Sequence, residues 1–333
     1  MNDQKKLKVA FIGIGWIGLN RMEALVNSGL IDTKAVVDIS EESIKQAQKI
    51  APGAKVFSSI DQLTEVELDA VVIATPSGQH YGQVMAALDS GYHVFCQKPL
   101  GRTKYEIETI VKEAKRKNRV LWADMSYRYT KAMQTIKGEI DKGVIGKVYA
   151  LEGVFHNAYG PDKAWFYDPQ QSGGGCVIDL GIHLIDLALW VTNFPKIENL
   201  TSNLYANGKR IAGRHEGIED YACAQMNSSN GVVVNLACSW NLSAGKDAII
   251  KFTVYGTEGA LSMENHNGSF YQFKAYHLKK RYTNELCHED GTWGGMAICD
   301  WAEMALTSGI YHSRSEQLVK VADVIDFIYD RSK

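Results

Sequence analysis

The sequence predicts an α/β protein of two domains: a parallel sheet with helices on both faces, then an α+β domain built on a large open, mainly antiparallel sheet. Three observations carry that prediction. Apolar strands alternate with helical segments through the first third of the chain. A glycine-rich turn, Gly13-x-Gly15-x-x-Gly18, separates the first strand from the first helix. Beyond about residue 130, extended segments recur with turn signals such as Asn230-Gly231 and Asn267-Gly268. A length of 333 residues suits two domains at roughly 150 residues each. The boundary is expected near residue 128, giving domains 1–128 and 129–333. The C-terminal helix, at about Ser315 to Tyr329, is free to pack back on the first domain.

Each element follows from its residues. Leu7 to Ile12 is a compact apolar strand, and the helix after the glycine turn stops at Gly29. Ala35-Val36-Val37 is a strand ending at Asp38, and Glu41 to Ile50 has helical composition. Asp69 to Ala74 is an apolar strand closed by Thr75-Pro76, followed by a helix over His80 to Ser90. His93 to Cys96 is a strand closed by Gln97-Lys98-Pro99; Lys104 to Lys117 is an amphipathic helix, and Val120 to Ala123 a further strand. Right-handed crossovers place the C-terminal ends of these strands along one edge, the edge at which open α/β sheets bind ligands. After that, Ala132 to Lys142 reads as a helix and Lys147 to Asn157 as a long extended segment. A Gly/Pro/aromatic loop spans 158–175, and Val177 to Val191 is a strongly apolar helix.

Composition narrows the function classes. Apolar residues make up 45% and charged residues 22%, ordinary for a water-soluble fold, and the formal charge of −2 gives no basis for a nucleic-acid partner. Six scattered cysteines without a C-x-x-C pair suit reduced thiols and give no metal site. The start, Met1 to Lys6, lacks a leader-like apolar region, and no run approaches eighteen apolar residues. The expectation is a cytoplasmic protein with no membrane span.

The glycine turn implies a dinucleotide. Gly13 permits the tight turn, Gly15 lets the backbone approach a pyrophosphate, and Gly18 lets the helix pack on the strand. Trp16 and Ile17 open the helix, whose N–H groups and partial positive charge suit phosphate. Asp38, twenty positions beyond Gly18, can accept hydrogen bonds from ribose hydroxyls and would repel a 2′-phosphate. NAD is therefore favoured over NADP.

Two further segments carry reaction chemistry. Lys98 follows a strand at the ligand edge beside a proline that fixes the backbone. Gly173-Gly174-Gly175 precedes a helix with Asp179 and His183 at i and i+4, and Asp186 at i+7 extends that face. The three glycines allow close approach of backbone to a ligand or to the other domain. The helix is also readable as a core helix with a satisfied histidine and two caps or ion pairs. Oxidising an alcohol needs a base for the hydroxyl proton, which a histidine supplies near neutral pH, and an ammonium group to stabilise alkoxide character. His183 is the candidate general base, Lys98 the electrostatic partner, and Asp179 the substrate-orienting carboxylate; Lys98 as proton acceptor stays open.

Taken together, the chain resembles the Gfo/Idh/MocA oxidoreductases. The resemblance rests on Gly13-x-Gly15-x-x-Gly18, Ala74-Thr75-Pro76 with His80, Gln97-Lys98-Pro99, and Gly173-Gly174-Gly175 followed by Asp179-x-Gly181-x-His183-x-x-Asp186. It implies an N-terminal Rossmann domain, a C-terminal domain whose open sheet forms dimers or tetramers, and a sugar, sugar derivative or cyclitol as substrate. It places Lys98, Asp179 and His183 at catalytic positions, and Thr75, Pro76, His80 and Gln97 at cofactor-contacting ones. The family usually has Glu-Lys-Pro; Gln97 stands here for the glutamate, keeping hydrogen-bonding capacity without charge. Tyr127 and Arg128 match an aromatic/Arg segment near the nicotinamide, and His156, Trp165 and Asp168 are softer substrate-side candidates, with packing as the competing reading. Dehydrogenation of a secondary alcohol leads. An NAD-dependent glycosidase using transient oxidation and a non-catalytic NAD-binding sensor are the alternatives.

Overall fold

A computed structural model of the chain describes residues 6–288 and 291–331. Residues 1–5, where a leader was sought, lie outside the described residues. The chain divides into two compact units, Met1–Ser126 with Gly294–Val319, and Tyr127–Trp293 with Lys320–Lys333.

The first unit holds β1 (Leu7–Ile12), α1 (Trp16–Asn27), β2 (Ile31–Val37), α2 (Glu41–Ile50), β3 (Lys55–Phe57), β4 (Ala70–Ile73), α3 (Ser77–Asp89), β5 (His93–Cys96), α4 (Lys104–Lys117) and β6 (Leu121–Ala123). The strands pair in parallel in the order β3-β2-β1-β4-β5-β6, the doubly wound arrangement whose switch point lies between β1 and β4. β4 and β5 are buried at every position, as strands covered on both faces must be. The helices carry their own stop and start signals. Ser40 caps α2 by accepting from Ser43 N, Thr103 caps α4 by accepting from Glu106 N, and Asn118 closes α4 at φ 52°.

The second unit contains α5 (Lys131–Asp141), β7 (Val148–Asn157), the short α6 (Pro169–Ser172), α7 (Ile182–Val191), β8 (Ile197–Ala206), β9 (Lys209–Ile211), β10 (Tyr221–Ser228), β11 (Val233–Ser239), β12 (Ala248–Gly256), β13 (Ala260–Asn265), β14 (Phe273–Lys279) and β15 (Tyr282–His288). Nine strands form one sheet in the order β15-β14-β13-β12-β7-β11-β10-β8-β9. Among the described residues its pairings are antiparallel except β7 with β11. α5 packs on β13, β14 and β15, and α7 on β7 and β11.

Three details differ from the sequence reading. α8 (Met296–Thr307) belongs to the first unit, where Trp301 is fully buried with its ring 5.6 Å from that of Phe95. The division falls inside α9 (Glu316–Asp330), and its last turns belong to the second unit: Ser202 Oγ donates to Ile328 O at 2.6 Å and Arg214 pairs with Asp326 at 2.7 Å. The stretch Pro169–Val191 is long and apolar enough to cross a membrane by length and composition, but 89% of its apolar window is buried, as in a core helix.

Candidate active site

In the first unit the glycine turn is shaped by the chain's contact with itself. Gly13 sits at φ +78°, and a Cβ there would fall 2.7 Å from Ala74 C and Thr75 N; one on Gly18 would fall 2.2 Å from Gly13 O. A Cβ on Gly15 would meet nothing within 4 Å, so that side of the backbone is open at the start of α1. That helix has no side-chain cap and no acidic residue in its first turn, leaving its N–H groups and positive end to a ligand. These features fit a dinucleotide pyrophosphate. Trp16 is 72% exposed at the first helical position and Ile17 is half-buried.

Asp38 follows β2. One carboxylate oxygen accepts from Ile14 N at 2.7 Å and the other from Ser40 N at 2.8 Å, so the side chain holds the glycine turn against the end of β2. Each oxygen keeps a lone pair for a ribose hydroxyl. Thr75 Oγ1 donates to Gln83 Oε1 at 2.6 Å, and Pro76 is the N-cap residue of α3. His80 is buried, with Nδ1 2.7 Å from Pro99 O and Nε2 2.8 Å from Thr75 O. Burial pushes its pKa down against the opposing pull of those two carbonyls. Each ring nitrogen faces a backbone carbonyl, and the neutral ring donates its one N–H to one of them, so His80 sits between the Thr75 and Pro99 segments. Gln97 is buried and Lys98 half-buried, and the Lys98–Pro99 peptide bond is cis.

In the second unit the polar helix does not begin as an α-helix. Val177–Gly181 is a π turn, and α7 continues from Ile182. Asp186 lies in α7, beyond that turn, and does not share the partner of Asp179. Asp186 instead forms a buried two-point pair with Arg128, Nε to Oδ2 at 2.7 Å and Nη2 to Oδ1 at 2.5 Å. Arg128 is thereby anchored by a buried charge pair within this unit. Asp179 accepts from Trp240 Nε1 at 3.1 Å. His183 is buried beside Tyr127, whose ring centroid is 4.6 Å away, within a cluster that includes Phe155, Phe273 and Trp293. Burial drives the Tyr127 phenol far up, and the Asp179 charge adds to the effect, placing that carboxylate within electrostatic reach of the cluster.

Trp240 is flanked edge-on by Phe166 and Tyr167, at 6.2 and 5.9 Å, and Trp165 stacks on Phe166 at 3.8 Å. The expected aromatic group therefore adjoins Asp179. His156, pushed down in pKa by burial, meets Ser239 Oγ at 2.8 Å, and Asp168 caps α6 by accepting from Gln170 N at 2.9 Å.

The glycine run serves a partner that the sequence did not reveal. Glu219 Oε1 accepts from Gly175 N at 2.9 Å, Val177 N at 3.0 Å and Tyr329 Oη at 2.7 Å. A Cβ on Gly175 would lie 2.0 Å from Glu219 O, and one on Gly174 2.0 Å from Tyr329 Oη. These two glycines admit Glu219 and Tyr329 of their own unit, which replaces the expected approach to a ligand or to the other domain. Glu219, Trp240, Arg21 and Asp124 were all missed. For Asp124 a signal existed, since it is the polar residue directly after an apolar strand, as Asp38 and Gln97 are.

Residues 7–125 match the model of an oxidoreductase family with an NAD-binding Rossmann fold, and residues 133–262 match the GFO/IDH/MocA C-terminal domain. D-glucoside 3-dehydrogenase of Escherichia coli is 25% identical over 271 residues, covering 77% of each chain. The scyllo-inositol 2-dehydrogenase (NADP(+)) of Bacillus subtilis is 28% identical over 263 residues, 76% of this chain and 72% of that one. Among solved structures, a levoglucosan dehydrogenase in complex with NADH has a TM-score of 0.82 at 20% identity, covering 98% of this chain and 97% of the other. A 3-ketoreductase from Actinomadura kijaniata with NADP has the same TM-score at 18% identity, with 97% of each chain covered. The chain belongs to the Gfo/Idh/MocA family of oxidoreductases, with its NAD-binding Rossmann domain followed by the family's C-terminal domain.

Proposed function

We propose that this protein transfers a hydride between NAD and a secondary alcohol or ketone of an uncharged sugar, sugar derivative or cyclitol. The observation that carries the reading is Asp179, held by Trp240 Nε1 beside an aromatic group and one helical turn before His183. When bound, the dinucleotide supplies the hydride acceptor. Gly13, Gly15 and the start of α1 hold its pyrophosphate, and Asp38 its adenosine ribose, in preference to a 2′-phosphate. His183 takes the hydroxyl proton in the oxidative direction and returns it in the reductive one. Lys98 supplies positive charge toward the developing alkoxide. Asp179 accepts a hydrogen bond from a substrate hydroxyl, and the aromatic faces near it suit the C–H face of a sugar ring. Arg128 is tied to Asp186 in a buried pair, which favours a neutral substrate over a sugar phosphate.

The test mixes protein, NAD and a panel of aldoses, glycosides, cyclitols and their phosphates, and follows absorbance near 340 nm. A neutral polyol should give a signal that His183→Ala loses while still binding NAD. Turnover restricted to phosphates, or unchanged in His183→Ala, would refute the assignment.

A further inference from the structure

A charged cluster lies buried in the first unit, beside the Gln97-Lys98-Pro99 segment. Gln97 Nε2 donates to Asp124 Oδ2 at 2.7 Å, and Arg21 Nε donates to the same oxygen at 2.7 Å. Relative exposures are 7% for Gln97, 1% for Asp124 and 6% for Arg21. The three residues come from three elements: Arg21 from α1, Gln97 from the end of β5, Asp124 from the end of β6. Backbone bonds tie the same strand ends together, Gln97 N to Ile73 O at 2.8 Å and Asp124 N to Cys96 O at 2.9 Å. Asp124 Oδ1 is buried without a hydrogen-bond partner. The Asp124 charge also reaches the Cys96 thiol, which burial first and that carboxylate second push up in pKa.

An ionised carboxylate only accepts hydrogen bonds, so the Gln97 amide must turn its NH₂ toward Asp124. Its carbonyl oxygen is then directed elsewhere, and position 97 offers an acceptor in a single orientation. We propose that Asp124, anchored by Arg21, is a positioning residue for dinucleotide binding: it locks the Gln97 amide so that its carbonyl oxygen accepts from a cofactor hydroxyl or amide. The proposal rests on the reading that Gln97 contacts NAD. It also accounts for the amide at 97, because a glutamate there would set two carboxylates face to face with one guanidinium between them.

The experiment compares wild type, Gln97→Glu, Asp124→Asn and the double variant Gln97→Glu/Asp124→Asn. NAD affinity is measured by calorimetry from pH 5.5 to 8.5, and thermal unfolding without NAD in parallel. Gln97→Glu should weaken NAD binding about tenfold at pH 8, because repulsion from Asp124 displaces the acceptor at position 97 from the cofactor, and recover as pH falls and the carboxylates share a proton. Asp124→Asn, which lets the Gln97 amide sit either way round, should weaken it less. The double variant restores a carboxylate–amide pair with the roles exchanged, and should return to within about threefold of wild type, a coupling that independent sites lack. If Gln97→Glu binds as wild type at every pH, or the double variant is no better than Gln97→Glu, the positioning role is overturned while the NAD reading stands. If wild type binds neither NAD nor NADP, the NAD reading itself falls, and this role with it.

Discussion

Removing the Glu219 carboxylate tests how the second unit holds its polar helix. In Glu219→Ala, two buried N–H groups, of Gly175 and Val177, and the Tyr329 hydroxyl lose their acceptor. Leaving a buried donor unsatisfied costs about 1–3 kcal/mol. Relief of the unpartnered Oε2 offsets part of the sum, and the net loss comes to about 3–5 kcal/mol. For a unit of this size that is roughly 6–20 °C at about 2–4 °C per kcal/mol. Glu219→Gln keeps an oxygen for all three donors and should stay within about 1 kcal/mol of wild type at pH 7. The pH dependence separates charge from geometry. Burial raises the Glu219 pKa above its ordinary 4.5 despite the three donors, so the folded state carries a penalty at neutral pH. That penalty is relieved as pH falls from the raised pKa toward 4.5. Wild type should therefore gain stability relative to Glu219→Gln across that window. The assay is urea and thermal unfolding of the three proteins from pH 4.5 to 7.5. A Glu219→Ala variant within about 1 kcal/mol of wild type, against the loss expected from unsatisfied buried donors, would refute the reasoning, as would a Glu219→Gln variant equally destabilised.

Other expectations follow from single contacts. Asp186→Asn leaves Arg128 buried without a compensating charge and should cost about 3–5 kcal/mol by urea unfolding, while replacing both residues by apolar ones should cost less. Asp38→Ser removes the carboxylate that opposes a 2′-phosphate, and should narrow the NAD-over-NADP ratio of Kd values by about tenfold or more, at 1.4 kcal/mol per decade. Because Asp38 also joins Ile14 N to Ser40 N, the variant should lose NAD affinity as well. His80 has its pKa lowered by burial, so acidification through its ordinary 6.5 must force a proton onto a group that the folded state disfavours charging. Stability of the first unit should fall below that pH in wild type and fall less in His80→Gln, followed by thermal unfolding from pH 7.5 to 5.

The first unit was legible because its signals are local. Strand-ending breaks at Gly13, Asp38, Thr75 and Lys98 recur where the topology requires them, and the glycine turn carries its own geometric demands. What stayed hidden depends on pairs remote in sequence. Arg21 meets Asp124, and Trp240 meets Asp179, through folds that no periodicity encodes. The π turn at 177–181 was invisible for a related reason: its residues read equally well as regular α-helix, and only the packing around them selects the wider turn. Glu219 lies in a loop with no pattern, yet the adjoining Asp220 carbonyl accepts from Trp240 N at 2.7 Å, so one loop steadies both the approach to Asp179 and its indole partner. α8 falls in a stretch that the sequence reading placed with the second domain, since order along the chain does not say which sheet a segment will cover.

The parallel pairing of β7 with β11 bears on how the protein is made. β7 lies between β11 and β12, so neither flank is covered until residues 233–256 have left the ribosome. At about 5–20 residues per second, residues 148–157 wait roughly 4–15 s for the first neighbour. During that interval a strand with two open edges is presented to solvent or to a chaperone, and a ribosome stalled in the middle of the second unit would release a fragment prone to aggregate.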